Sequence, residues 1–264
     1  MLAGLARVNG TRLYYQSAGE GSPLVLIGGG GSLDRRLWDD QFTVFSEKYQ
    51  VISYDPRGIG KSEIPENLFS HSQDLYSLLK FLSVEKAHIL GLSLGGTIAI
   101  DFALEYPEMV RALVLVASGL SDLKEEVLQA TSALSVMAQE EGVMRVIQVI
   151  VENDCYIAPE NSAARQKARE ILMESAQIFH SGFPAIKFWQ PVEPPASNRL
   201  SEIKAATLII VGERDYPGIH AVAEKLETSI IGARKVIISG AGHMVNLEKP
   251  EQFDQVVTHF LDNQ

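Results

Sequence analysis

The ten residues Ala87-His-Ile-Leu-Gly-Leu-Ser-Leu-Gly-Gly96 leave this chain little choice of architecture. Ala87 to Leu90 read as a strand of the kind covered on both faces, and Gly95 to Tyr106 read as a helix that begins almost at once. Between them runs Gly91-Leu92-Ser93-Leu94-Gly95. A connection that short forces a sharp, strained turn that crowds the backbone two residues either side of Ser93, and glycine relieves the crowding. Gly91 and Gly95 fill those places, and Gly96 lets the helix approach the strand. A serine at the tip of such a turn carries its hydroxyl out beyond the end of a sheet. Taken alone, the five residues also fit a Gly/Ser turn without chemistry; the strand before and the helix after weigh against that.

The flanking sequence repeats the same rhythm. Leu5–Val8 and Arg12–Ser17 read as a hairpin about the turn dipeptide Asn9-Gly10. Pro23–Ile27, Val51–Asp55 and Ala112–Ala117 read as strands, with helices over 35–46 and about 70–82. This is the βαβ order of a parallel sheet. It stops at Gly119 and resumes at Thr207–Val211 and Lys235–Ile238, with a last helix starting near Pro250. The interval is helical and amphipathic: Leu123, Val127, Ala130, Leu134 and Met137 follow one face, and Ala164, Ala168, Ile171, Leu172 and Phe179 another. We expect an α/β fold, a mostly parallel twisted sheet of about eight strands with helices on both faces. Residues 1–118 and 200–264 would form the core domain and 119–199 a helical cap.

Composition narrows the class of function. The chain has 264 residues and a formal net charge of −10. That charge disfavours nucleic acid and anionic lipid as partners and leaves a small molecule as the expected one. The single cysteine, Cys155, excludes an internal disulfide and reads as a structural thiol. No leader or membrane-spanning run is visible, so a soluble, cytoplasmic enzyme is expected. Two glycine-rich segments imitate nucleotide loops. In Gly28-Gly-Gly-Gly-Ser32 the third glycine of a dinucleotide fingerprint would fall on Leu33, and Gly58-Ile-Gly-Lys-Ser62 has Asp55 where a phosphate loop needs glycine.

Four motifs then carry a family resemblance: Gly-Leu-Ser-Leu-Gly-Gly (91–96), Asp-Pro-Arg-Gly-Ile-Gly-Lys-Ser (55–62), Gly-Glu-Arg-Asp (212–215) and Gly-Ala-Gly-His-Met-Val-Asn-Leu-Glu-Lys-Pro (240–250). The chain resembles the capped α/β-hydrolase superfamily over nearly its whole length outside the cap. In flavour it is closest to 3-oxoadipate enol-lactonase-like esterases and lactonases. The resemblance implies a nucleophile–acid–histidine order, with Ser93 as nucleophile, Asp215 as acid and His243 as base. Glu213 is the near neighbour of that acid, and Asp122 the alternative where relatives place it one strand earlier. The backbone N–H groups of Leu94 and, by alignment, Gly30 would form the oxyanion hole; Gly28 stands where relatives often have histidine. The other five histidines (71, 88, 180, 220 and 259) read as structural or surface residues.

The cap says less. Phe183, Trp189 and Met137, with Met144, Phe179 and Phe188, are candidates to line a substrate pocket, although residues at helical spacing more often form plain core. Arg35 and Arg36 read as surface residues that would otherwise meet an acidic substrate. The expected reaction is cofactor-free and metal-free hydrolysis of a carboxylic ester or lactone of a small-to-medium, partly apolar substrate, through an acyl-enzyme on Ser93. C–C bond hydrolysis of vinylogous diketones and perhydrolysis use the same triad. A serine at 93 argues against dehalogenases and epoxide hydrolases, whose nucleophile in this fold is aspartate. From other classes, a non-catalytic ligand receptor and a nucleotide binder are the rivals.

Overall fold

The computed structural model describes residues 1–29 and 33–264. Eight strands form one sheet: β1 (Leu2–Val8), β2 (Thr11–Ala18), β3 (Pro23–Ile27), β4 (Gln50–Tyr54), β5 (Ala87–Leu92), β6 (Val110–Val116), β7 (Ala206–Gly212) and β8 (Arg234–Ile238). Their order is β1-β2-β4-β3-β5-β6-β7-β8. Strands β3 to β8 run parallel, while β2 pairs antiparallel with β4 and β1 antiparallel with β2. The β1–β2 turn has Asn9 at φ 45° and Gly10 at φ 69°, the left-handed pair that a two-residue hairpin needs and that Asn-Gly tolerates. All six residues of β5 are buried, as are all of β6 but Arg111. Their unbroken apolar runs are therefore those of strands sandwiched between helices.

Helices α1 (Asp39–Phe45), α2 (His71–Phe81) and α3 (Leu94–Glu105) belong to the first half. The single helix expected over 35–46 is two pieces, because a 3₁₀ turn, Arg35–Trp38, precedes α1, started by Asp34 accepting from the Arg36 N–H at 3.0 Å. Ser70 caps α2 by accepting from the Gln73 N–H. Between β6 and β7 lie α4 (Lys124–Glu140), α5 (Val143–Val151), α6 (Ser162–Glu174), α7 (Gln177–Ser181) and α8 (Pro184–Phe188). The stripe read from 164 to 179 breaks into α6 and α7. Helix α5 went unforeseen, since its run of valines and isoleucines has strand propensity that burial of Val146, Ile147 and Val151 overrides. The chain ends with α9 (Pro217–Ser229), α10 (Val245–Glu248) and α11 (Pro250–Leu261), the last pressing Phe253 against the fully buried Trp38.

Sheet order places the site. From β3 the chain steps to β4 on one side, and β5 then pairs on the other side of β3. The loops leaving β3 and β5 diverge there, which opens a crevice at the carboxyl ends of the strands.

Both necks of the α4–α8 segment meet on one buried carboxylate. Asp101 of α3 accepts from the Ser121 hydroxyl at 2.8 Å on the way in, and the Val192 N–H stabilises its ionised form on the way out. Burial nonetheless raises the Asp101 carboxyl from 3.8 to about 7, with the Ser121 hydroxyl pulling the other way. Between pH 4 and 7 the folded chain thus holds a proton that the unfolded chain has released, so the stability this proton contributes falls as pH rises through that window and is gone by its upper end. Asp101→Asn is expected to flatten this fall. Its Tm relative to the unsubstituted protein should rise by about 4–8 °C between pH 5 and pH 8, measured by calorimetry. Parallel Tm curves would remove Asp101 as the cause.

Candidate active site

Ser93 stands between β5 and α3 with φ 57° and ψ −115°, a conformation that only strong surrounding contacts maintain in a non-glycine residue. Its amide donates to the Val116 carbonyl at 2.9 Å, and its carbonyl accepts from the Thr97 N–H at 3.0 Å. The three flanking glycines are where they are for steric reasons. A Cβ on Gly91 would strike the Gly95 carbonyl, one on Gly95 the Ile27 carbonyl of β3, and one on Gly96 would lie 2.5 Å from the Ser118 Oγ. A Cβ on Gly29 would run into the Leu92 carbonyl and lie 3.0 Å from the Ser93 Cβ, so the loop leaving β3 passes directly beside the serine. Leu94 opens α3, where a backbone N–H has no helical carbonyl partner. Gly30 lies outside the described residues.

The second group arrives from β7 and β8. Asp215 and His243 are both buried, and Asp215 Oδ1 is 2.9 Å from His243 Nδ1. The same oxygen accepts from the Tyr216 N–H at 2.7 Å, while Oδ2 accepts from no donor among the described residues. Glu213 faces elsewhere: it accepts from the Ser239 hydroxyl at 2.7 Å and the Gly240 N–H at 2.8 Å, and so shapes the turn after β8. Asp122 is exposed and accepts from the Ser197 N–H at 3.3 Å, away from the histidine. With Nδ1 engaged, His243 is left with Nε2 for other work.

Ser93 and His243 border one cavity of about 630 Å³, which also takes in Leu94, Phe183 and Trp189. Its far wall is α4, through Val127, Ala130 and Leu134, together with Leu123 just before that helix. That stripe is a cavity lining and not the plain core its spacing favours. Met137, expected to touch substrate, does not border the cavity. It is half-buried against the core, beyond the end of the lining stripe on a helix that advances about 1.5 Å per residue. Phe179 is core as well, and Met144 is exposed.

Sequence reasoning missed three residues that shape this site. Tyr156 stacks on the His243 ring at 5.9 Å between centroids, and Tyr216 meets it edge-on at 5.8 Å. Burial raises both phenols, Tyr216 to about 12, so neither ionises near neutrality. Glu248 ties the histidine loop to the α5–α6 connection: it accepts from the N–H groups of Gly242 and Ala158, each at 2.8 Å, and from Asn161 Nδ2 at 2.7 Å. Burial raises its carboxyl above the ordinary range against the pull of these donors. The loop is further held by the His243 N–H donating to the Cys155 carbonyl at 2.8 Å and the Met244 N–H to the Tyr156 carbonyl at 3.1 Å. The adjacency of Tyr216 to Asp215 was the one available hint; Tyr156 lies far from both in sequence.

The remaining expectations sort by location. His71 is buried against Phe69 and Trp189, and burial lowers it to about 3, so its ring is neutral. His88, buried on β5, is lowered to about 4 for the same reason. The Gly58–Ser62 loop folds back on Asp55, which accepts from the N–H groups of Arg35 and Lys61, both at 2.9 Å. A Cβ on Gly60 would collide with that carboxylate, so the loop cradles an aspartate and not a phosphate. Arg36 is paired with Asp34 at 2.7 Å and with Glu174, and Arg35 lies over the Tyr14 ring. Neither borders the Ser93 cavity. No helix among the described residues is long and apolar enough to cross a membrane.

Comparison with known proteins agrees with this architecture. A family model for the alpha/beta hydrolase fold matches residues 22–137. The chain is 28% identical to 2-hydroxy-6-oxo-6-phenylhexa-2,4-dienoate hydrolase of Comamonas testosteroni, over 94% of this chain and 91% of that protein. It is 23% identical to 3-oxoadipate enol-lactonase 1 of Acinetobacter baylyi, over 92% of this chain and 90% of that protein. The crystal structure of the enol-lactonase from Burkholderia xenovorans LB400 superposes with a TM-score of 0.82 at 24% identity, covering 98% of this chain and all of that one. With its sheet order, its strand–serine–helix turn and these likenesses, the chain has the α/β-hydrolase fold and is a hydrolase of that fold.

Proposed function

We propose that the protein is a serine hydrolase that cleaves a carboxylic ester or lactone through an acyl-enzyme on Ser93. The observation that carries this reading is the pairing of Asp215 with His243 at 2.9 Å beside the cavity into which the strained Ser93 turn opens. A serine hydroxyl is a weak nucleophile at neutral pH and needs a base. His243 Nε2 takes the Ser93 proton as Oγ attacks the carbonyl, and Asp215 holds the ring's tautomer and stabilises the imidazolium. The Leu94 N–H, and by family resemblance the N–H of Gly30, hold the oxyanion. His243 then protonates the leaving group and activates the water that frees the acid.

The expected result is stoichiometric labelling of Ser93 by an alkyl fluorophosphonate, located by peptide mass mapping. Turnover of p-nitrophenyl esters or of simple lactones should accompany it. Labelling at another residue, or none, would remove the reading and favour a non-catalytic receptor. The similarity to the phenylhexadienoate hydrolase supports a second reading on the same residues, cleavage of a C–C bond in a vinylogous diketone. Turnover of such a diketone without turnover of esters or lactones would select it.

A further inference from the structure

We infer that the acyl group accepted at Ser93 is uncharged and apolar, of medium length, and that the cavity rejects an acyl group carrying a second carboxylate; this rests on the serine-hydrolase reading. The walls are Val127 and Leu134 from α4, Ile150 from α5, Phe183, and Ile219 and Val222 from α9. Among the described lining residues only Lys124 and Glu126 carry a formal charge. The three residues outside the described set are Gly30, Gly31 and Ser32, which add none.

Lys124 keeps its charge but is held by a neutral partner. Its Nζ donates to the Trp189 carbonyl at 2.6 Å, a link between α4 and the residue that follows α8. Glu126, two residues along, repels an anion. The cations nearest in sequence to the oxyanion loop, Arg35 and Arg36, border a separate cavity with Asp34, Asp55 and Glu174. The buried His71 behind Trp189 is neutral at any pH where the enzyme would work. A carboxylate entering this space would lose its water and meet, as its one Lys or Arg among the described lining residues, an ammonium already held to the Trp189 carbonyl with the like-charged Glu126 two residues along, whereas an alkyl or aryl chain would exchange water for apolar wall. A volume of about 630 Å³ leaves room for a chain well beyond acetyl.

The test uses two fluorophosphonates of equal chain length, n-hexyl and 5-carboxypentyl, on the full chain at pH 7.5. In each case the Ser93 Oγ–P bond forms, fluoride leaves and His243 takes the proton. The n-hexyl reagent is expected to modify Ser93 faster by about a hundredfold or more, the penalty for a carboxylate buried among apolar walls beside a single tethered ammonium. Added salt should leave the ratio within a few-fold, since screening cannot supply a partner inside the cavity. Rates within about threefold, or a preference for the carboxylate, would overturn the inference while leaving the serine reading intact. Failure of both reagents to modify Ser93 would overturn the serine reading itself and this inference with it.

Discussion

Replacing Ser93 with alanine is expected to lower kcat on the best ester or lactone by about 10⁴- to 10⁶-fold, with Tm unchanged or raised. The unchanged fold follows from geometry. Ser93 contributes its backbone to the turn, through the Val116 and Thr97 contacts, and those survive in alanine. The loss in rate follows because only the hydroxyl can form the acyl-enzyme. Groups that act as one unit lose activity non-additively, so Ser93→Ala combined with Asp215→Ala should be no slower than Ser93→Ala alone. The acid offers a finer test. Asp215 Oδ1 faces both the His243 Nδ1 and the Tyr216 N–H, and both can donate to it. An asparagine can therefore keep its oxygen in that place and preserve the tautomer while losing the negative charge. Asp215→Ala loses orientation as well, and should be slower than Asp215→Asn by about tenfold or more on a background loss of about 10²- to 10⁴-fold. Multiplicative losses in the double variant, or equal rates for the alanine and asparagine forms, would show that these residues do not act as one unit.

Gly95→Ala is expected to cost about 3 kcal/mol or more and to lower Tm by about 6–12 °C. The new Cβ would meet the Ile27 carbonyl and lie 2.7 Å from that of Gly28. The Ile27 carbonyl cannot yield, because β3 is hydrogen-bonded to β4 on one side and β5 on the other. Relief must come from the turn, which displaces Ser93 from its φ of 57° and should reduce turnover by more than about a hundredfold. Gly4→Ala is the matched control, since a Cβ there meets nothing within 4 Å. Thermal unfolding of the two variants side by side gives the comparison. A Gly95→Ala protein with unaltered Tm and rate would mean the turn is looser than drawn.

The legible part of this protein is local. The strand–turn–helix at Ala87–Gly96 carries its own steric requirement, and glycine meets it without reference to distant residues. The βαβ rhythm likewise implies a parallel sheet, because a crossover helix returns the chain in one direction. Residues 215 and 243 stand out because each follows a strand end within a short motif. Helix α5 and the break between α6 and α7 were hidden, since burial against partners outweighs the intrinsic preference of a valine-rich run. The stripe on α4 shows the limit most sharply. Periodicity finds an apolar face, but a face that lines a cavity and a face that fills a core have the same period. Only the placement of α9 and Trp189 opposite α4 left Val127 and Leu134 bordering open space and carried Met137 past its edge. The stacking of Tyr156 on His243 and the carboxylate of Glu248 bridging two segments were equally out of reach. Such contacts join residues 87 to 90 positions apart, and no pattern within either segment encodes the meeting.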